Sequence, residues 1–149
     1  MPAETMPPAC AATNLRMAAR ATTRLYDKAL APVGLTVTQY AILNNVAKFG
    51  EVATMSLASW LCLERTTLYR ALAVLERRSL ITSRCGHGRE HILSLTPSGS
   101  ALRDAALFHF NKVQTIFVEE FGEGWDEFLN KLGRARQIAA DRLEQDSNK

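Results

Sequence analysis

Between Arg65 and Leu75 the chain carries two arginines, two threonines and a tyrosine, and no acidic residue. Groups of these types donate hydrogen bonds rather than make or break covalent ones. Guanidiniums fork onto phosphates or guanine edges, hydroxyls reach either, and a threonine methyl can meet a thymine methyl. In the same stretch Leu68, Leu72 and Leu75 recur at +4 and +3, with Ala71 and Val74 widening the stripe, which predicts a helix with one buried face. Arg65, Thr66, Tyr69, Arg70 and Ala73 then fall on the opposite side. Taken alone, that outer face suits a reader of the DNA major groove and an ordinary solvated surface equally well.

Bond-making chemistry finds no residues here. There is no phosphate-binding glycine loop, no nucleophile elbow, no carboxylate pair on one face and no HExxH, so the sequence reads as a binding protein rather than an enzyme, with no cofactor implied. Cys85, His87 and His91 share side-chain parity on a hairpin. They lack a carboxylate or a fourth ligand, and no metal is assigned to them.

The elements around the arginines decide between the two readings. A short apolar-periodic segment, Ser56 to Leu63, leads through Glu64-Arg65-Thr66 into the longer helix Thr66 to Arg78. Two β-prone runs follow, Leu80 to Arg84 and His91 to Leu95, apolar at Ile81, Ile92, Leu93 and Leu95, around the tip Gly86-His87-Gly88-Arg89. A helix pair beside a basic, glycine-punctuated hairpin describes a winged helix, whose helix enters the groove while the wing meets the sugar-phosphate backbone. The DNA-facing set is therefore Ser56, Arg65, Thr66, Thr67, Tyr69, Arg70, Arg84, His87 and Arg89. Charge agrees: residues 56–96 hold six basic against three acidic side chains, whereas residues 97–149 hold seven against nine, so the overall +3 is concentrated at the reading element.

With 149 residues and 47% apolar content, the chain fits one soluble domain with an added interaction element. Residues 1–10 read as a flexible arm without the basic and apolar regions of a signal peptide, and no run is long enough for a membrane span. Three scattered cysteines without framework spacing point to reduced thiols and a cytoplasmic location. A helix is expected over Ala11 to Ala31, with Leu15, Ala18, Leu25, Tyr26 and Ala29 on its inward side and Arg16, Arg20, Arg24 and Lys28 as a solvated ladder. Pro32 and Gly34 stop it. Thr36 or Thr38 caps the next helix, Gln39 to Lys48, whose Tyr40, Leu43, Val46 and Ala47 face inward, and a short strand is placed at Val52. Thr96-Pro97-Ser98 starts a helix from Pro97 to Phe121, Gly122-Glu123-Gly124 breaks it, and a last helix spans Trp125 to Gln145. Phe108, Phe110, Val113, Phe117, Val118 and Phe121 are more apolar groups than a small winged helix can cover, which predicts a second copy of the chain packed across a two-fold axis.

Four segments occur in order: Leu-Thr-x-x-Gln-Tyr-Ala at Leu35–Ala41, Glu-Arg-Thr-Thr-Leu-Tyr-Arg at Glu64–Arg70, Leu-Glu-Arg-Arg-x-Leu at Leu75–Leu80 and Leu-Ser-Leu-Thr-Pro-x-Gly at Leu93–Gly99. Together they resemble the MarR family of bacterial transcription regulators over roughly residues 15–143. The resemblance implies a mainly α fold with a β-hairpin wing, a single MarR-like domain over residues 11–149. Residues 35–96 form its winged helix-turn-helix, and residues 11–34 and 97–145 form dimerisation helices. It implies a homodimer on an inverted-repeat operator in double-stranded DNA, usually a repressor released by a small aromatic or phenolic acid. The lining of such a ligand cleft would fall on Arg16, Arg20, Tyr26, Tyr40, Phe108 and His109. Arg89 matches the wing arginine that enters the minor groove, but His87 stands where aspartate is common and Glu64 where aspartate or serine is usual. The hydroperoxide-responsive branch carries its reactive cysteine at a position that falls on Ala12, and Cys10 lies two residues earlier. Thiol-based sensing through Cys10 and a winged helix used only for protein contact are the alternatives carried forward.

Overall fold

The computed structural model describes residues 10–88 and 90–147. The arm expected at residues 1–10, Cys10 apart, and the wing residue Arg89 lie outside the described residues. The chain forms two compact units, one running to Asn111 and the other beginning at Lys112. The first contains α1 (Ala11–Leu30), a 3-10 turn (Ala31–Val33), α2 (Val37–Phe49), β1 (Val52–Ala53), α3 (Thr54–Leu61), α4 (Arg65–Arg77), β2 (Ile81–Cys85) and β3 (His91–Leu95), and α5 (Pro97–Phe121) begins in it. The second holds the remainder of α5, a 3-10 turn (Gly122–Gly124) and α6 (Trp125–Ser147). The division thus falls within α5. The helical fold with its small antiparallel sheet is the winged-helix class expected from the pattern of elements.

Local chemistry accounts for the boundaries. Of the two candidate caps for α2, Thr36 is the one used: its hydroxyl accepts from the Gln39 N–H at 3.2 Å, and the Gln39 side chain returns a bond to the Thr36 N–H at 3.0 Å. A third bond comes from outside the helix. Asp27 of α1 accepts the Val37 N–H at 2.7 Å, placing a carboxylate at the positive end of α2. Thr36→Ala is expected to cost about 1 kcal/mol of folding stability, and Thr38→Ala almost none, in parallel urea melts.

Both helices of the helix-turn-helix end in the same six-residue closure. In α3 the Leu63 N–H reaches the Ala58 carbonyl and Cys62 N–H the Ser59 carbonyl; in α4 Leu80 reaches Leu75 and Ser79 reaches Glu76. Such closures place one residue in the left-handed region, and here these are Cys62 (φ +50°) and Ser79 (φ +56°), not glycines.

The core of this unit is continuous. Ile42, Leu43 and Val46 of α2, Leu57 of α3, Leu68 and Leu75 of α4, and Ile81 and Leu93 of the sheet are each almost wholly buried. Tyr40 and Leu72 join them. Ile42 was absent from the inward set expected for α2, and Ala47 is only half-buried. Strand β3 lies between β1 and β2 in an antiparallel sheet, with Val52 opposite Leu93 and Leu93 opposite Ser83, and with Ala53, Ile92 and Arg84 aligned in the next row. The buried hydroxyl of Thr54 is satisfied by the His91 carbonyl at 3.0 Å. On α1, Tyr26 and Leu30 are buried, but Leu15 and Leu25, expected on the inward stripe, are 42% and 40% exposed. In the second unit Phe121 stacks on Phe128 with centroids 4.3 Å apart and Trp125 beside them, while Leu129, Leu132, Ile138 and Leu143 are exposed.

Candidate nucleic-acid interface

Helix α4 is anchored by Leu68, Leu72 and Leu75, none more than 4% exposed, and this fixes what its other side presents. Arg65, Thr66, Thr67, Tyr69, Arg70 and Ala73 are all exposed. Glu64 precedes the helix with no side-chain capping bond, consistent with its being a poor cap, so the N–H groups of the first turn receive nothing from it. None of the ion pairs among the described residues engages Arg65 or Arg70. The helix start therefore presents two uncompensated guanidiniums, three hydroxyls and the positive end of the helix dipole to one side. Ser56, in α3, is only half-buried.

Two arginines counted in the basic footprint are already employed. Arg78, next to the end of α4, donates to the Gly34 carbonyl at 2.7 Å, tying this helix to the turn after α1. Arg84 on β2 makes a two-pronged pair with Glu51, Nε to Oε1 at 3.2 Å and Nη2 to Oε2 at 2.7 Å. Glu51 precedes β1 and was not singled out by sequence. The hydrogen bonds from Arg84, and then its charge, hold the Glu51 carboxyl below its ordinary range, and the reciprocal bonds push Arg84 up. At the wing tip the Gly86 N–H closes onto the Glu90 carbonyl at 2.8 Å, and His87 is exposed. Cys85 and His91 are register partners, but among the described residues no group of three His, Cys, Asp or Glu side chains is placed to hold a metal.

No family model matches the chain, and no curated protein sequence does. Solved structures do. The M. tuberculosis transcriptional regulator MosR is 30% identical, with 90% of this chain and 98% of that one covered and a TM-score of 0.81. MosR in complex with DNA is 31% identical over 88% and 98% of the two chains, with a TM-score of 0.76. A MarR family transcription regulator is 26% identical over 91% of each chain, with a TM-score of 0.70. This chain belongs to the MarR family. It is accordingly a transcription regulator of winged-helix type and not an enzyme. Among the described residues no helix is long and apolar enough to cross a membrane.

The residues suggested for a MarR-type ligand cleft are distributed unevenly. Tyr26 and Tyr40 are brought together by a residue outside that set, Phe110 of α5, whose ring lies 4.9 Å from the first and 4.7 Å from the second. Burial raises the pKa of both phenols, and in Tyr40 the charge of Arg103 opposes that rise. Phe108, 62% exposed, meets the half-buried His109 edge-on at 5.5 Å. Arg16 and Arg20 are exposed on α1. Arg103, whose charge bears on Tyr40, donates to Asn44 at 3.1 Å and pairs with Asp104. Phe110, expected among the apolar groups left for a second copy, packs instead against tyrosines of its own chain, and Arg103 was not singled out, because residues on α5 carry no mark in sequence of which helix they will meet.

Proposed function

We propose that this MarR-family chain is a homodimeric, sequence-specific DNA-binding regulator, a repressor that occupies an inverted-repeat operator and leaves it when a small aromatic or phenolic acid binds. The observation that carries the reading is the exposed, acid-free side of α4, whose Arg65 and Arg70 enter no ion pair among the described residues. MosR, similar over nearly its whole length, has been crystallised with DNA, which supports the same partner here. The dimer is supported by Leu15 and Leu25 on α1, Phe108 and Ile116 on α5, and Ile138 and Leu143 on α6, all left exposed in a single chain. Two-fold symmetry then sets the half-site centres about one helical turn apart. An effector acid would find a cation and aromatic rings at Arg103, Tyr26, Tyr40 and Phe110, with Arg16, Arg20, Phe108 and His109 the further residues the family resemblance suggests. Fluorescence polarisation on the DNA upstream of the protein's own gene, at two ionic strengths, tests the core of the reading. Affinity is expected to fall steeply with salt and to exceed that for a scrambled duplex. Equal, salt-insensitive binding to both duplexes would instead favour a winged helix used for protein contact.

A second reading is favoured by the surroundings of Cys10. It stands at the N-cap position of α1 without a side-chain capping bond, its exposed sulfur accepts a bond from the Thr13 hydroxyl at 3.3 Å, and that bond, with the Thr13 and Ala12 N–H groups, lowers the thiol's pKa. A thiolate at a helix start is the form an oxidant attacks. Peroxide should then lower DNA affinity in the wild type and leave Cys10→Ser unaffected.

A further inference from the structure

We propose that Glu51 is a built-in competitor for the DNA backbone, occupying Arg84 of the wing until a phosphate takes its place. The inference rests on the DNA-binding reading and deepens it. Both side chains are 58% exposed and joined by two parallel bonds. That fork-to-fork arrangement is how a guanidinium also grips a phosphate, so Glu51 presents to Arg84 the same pattern of two anionic oxygens that a backbone phosphate would.

The sheet register explains how residues 33 positions apart meet. Ala53, Ile92 and Arg84 form one cross-strand row, and side-chain parity puts Glu51 on the same face as Ala53. Glu51 therefore reaches across β3 to Arg84, on the face opposite the buried Val52 and Leu93. An exposed pair of this kind is weak and screened by salt, so it yields to a polyanion. Yielding has a consequence for affinity. Each Arg84 that moves to a phosphate leaves an unpaired Glu51 carboxylate near the duplex, and this opposes the gain from counterion release. The pair thus lowers binding to operator and bulk DNA alike, while leaving the contacts of α4 untouched.

The test uses the full-length protein and a labelled mixed-sequence duplex of about three helical turns, titrated between about 50 and about 200 mM salt. Wild type, Glu51→Gln, Arg84→Gln and the double variant are compared. Glu51→Gln is expected to bind about three- to tenfold more tightly at the lower salt and to steepen the log–log salt slope by about 0.9 for each wing engaged. Its advantage over wild type therefore shrinks at least about threefold at the higher salt. In the Arg84→Gln background the same change is expected to give a clearly smaller gain, that of removing a carboxylate near the duplex without freeing a guanidinium. Unchanged or weaker binding by Glu51→Gln overturns the proposal, as does an equally large gain in the double variant, which would mark a general effect of net charge. A wild type that shows no salt-dependent affinity at all overturns the DNA-binding reading itself, before any variant is compared.

Discussion

Arg70→Ala is expected to weaken operator binding about ten- to a hundredfold and to flatten the difference between operator and scrambled DNA. The position is set by packing. Leu68 and Leu72 flank Arg70 in sequence and are buried, so the arginine between them is held on the solvent side of a helix whose rotation the core forbids. A guanidinium forked onto a guanine edge discriminates by about 1–3 kcal/mol per contact, and alanine removes that discrimination together with the charge. A phosphate-directed arginine behaves differently. For Arg89 the expected result of alanine substitution is uniform weakening on every sequence and a salt slope lower by about one. Polarisation titrations of both variants on operator and scrambled duplexes separate the two roles. If Arg70→Ala shifts both duplexes equally, α4 contacts only the backbone, and if neither variant changes anything, the reading face lies elsewhere.

The parts of this assignment that were legible in the sequence are those governed by short-range periodicity. The leucine spacing in α4 specified both its buried side and its outer one, and the hairpin strands were marked by β-prone runs around two glycines. What could not be read depended on partners distant in the chain. Strand β1 is only two residues long, too short for any periodicity, yet its pairing with β3 is what brings Glu51 to Arg84. Arg78 looked like part of a basic footprint because charge counts ignore where a guanidinium ends, and here it ends on the Gly34 carbonyl. The closures after α3 and α4 use cysteine and serine in the left-handed region, so the usual glycine signal was missing at both, and the expected boundaries shifted by one or two residues. The apolar side of α1 was correctly recognised as apolar at Leu15 and Leu25, but one chain alone does not bury it. Periodicity marks such a side as apolar without saying what covers it.

Gly99→Ala is expected to produce the largest loss of stability of any single methyl added to the chain. The residue sits in the first turn of α5, in the Leu-Thr-Pro-x-Gly stretch, and has no unusual φ. The constraint is approach, not conformation. A Cβ there would lie 1.9 Å from the Leu80 carbonyl oxygen and 2.9 Å from its carbon, which is far inside contact distance and against backbone that cannot swing aside. That carbonyl is itself fixed: it accepts from the Thr96 N–H at 3.1 Å and shares the single Thr96 hydroxyl hydrogen, at 3.2 Å, with the adjacent Ser79 carbonyl at 2.7 Å, to which Ser98 also donates. The Gly99 N–H returns a bond to the Thr96 hydroxyl at 3.0 Å. Accommodating a methyl group therefore means pushing the start of α5 away from the end of α4 and breaking several of these bonds together. Overpacking alone costs about 1–3 kcal/mol, and each lost bond that leaves a buried group unsatisfied adds about 1 kcal/mol or more, so at least about 3 kcal/mol is expected. For a chain of this size that lowers the melting temperature by roughly 10 °C. Ser100→Ala, one residue further along an exposed side of the same helix, should leave it nearly unchanged. A Gly99→Ala protein that melts with the wild type would mean that the α4–α5 junction yields freely, and the rigid link between the reading helix and α5 described by these bonds would have to be abandoned.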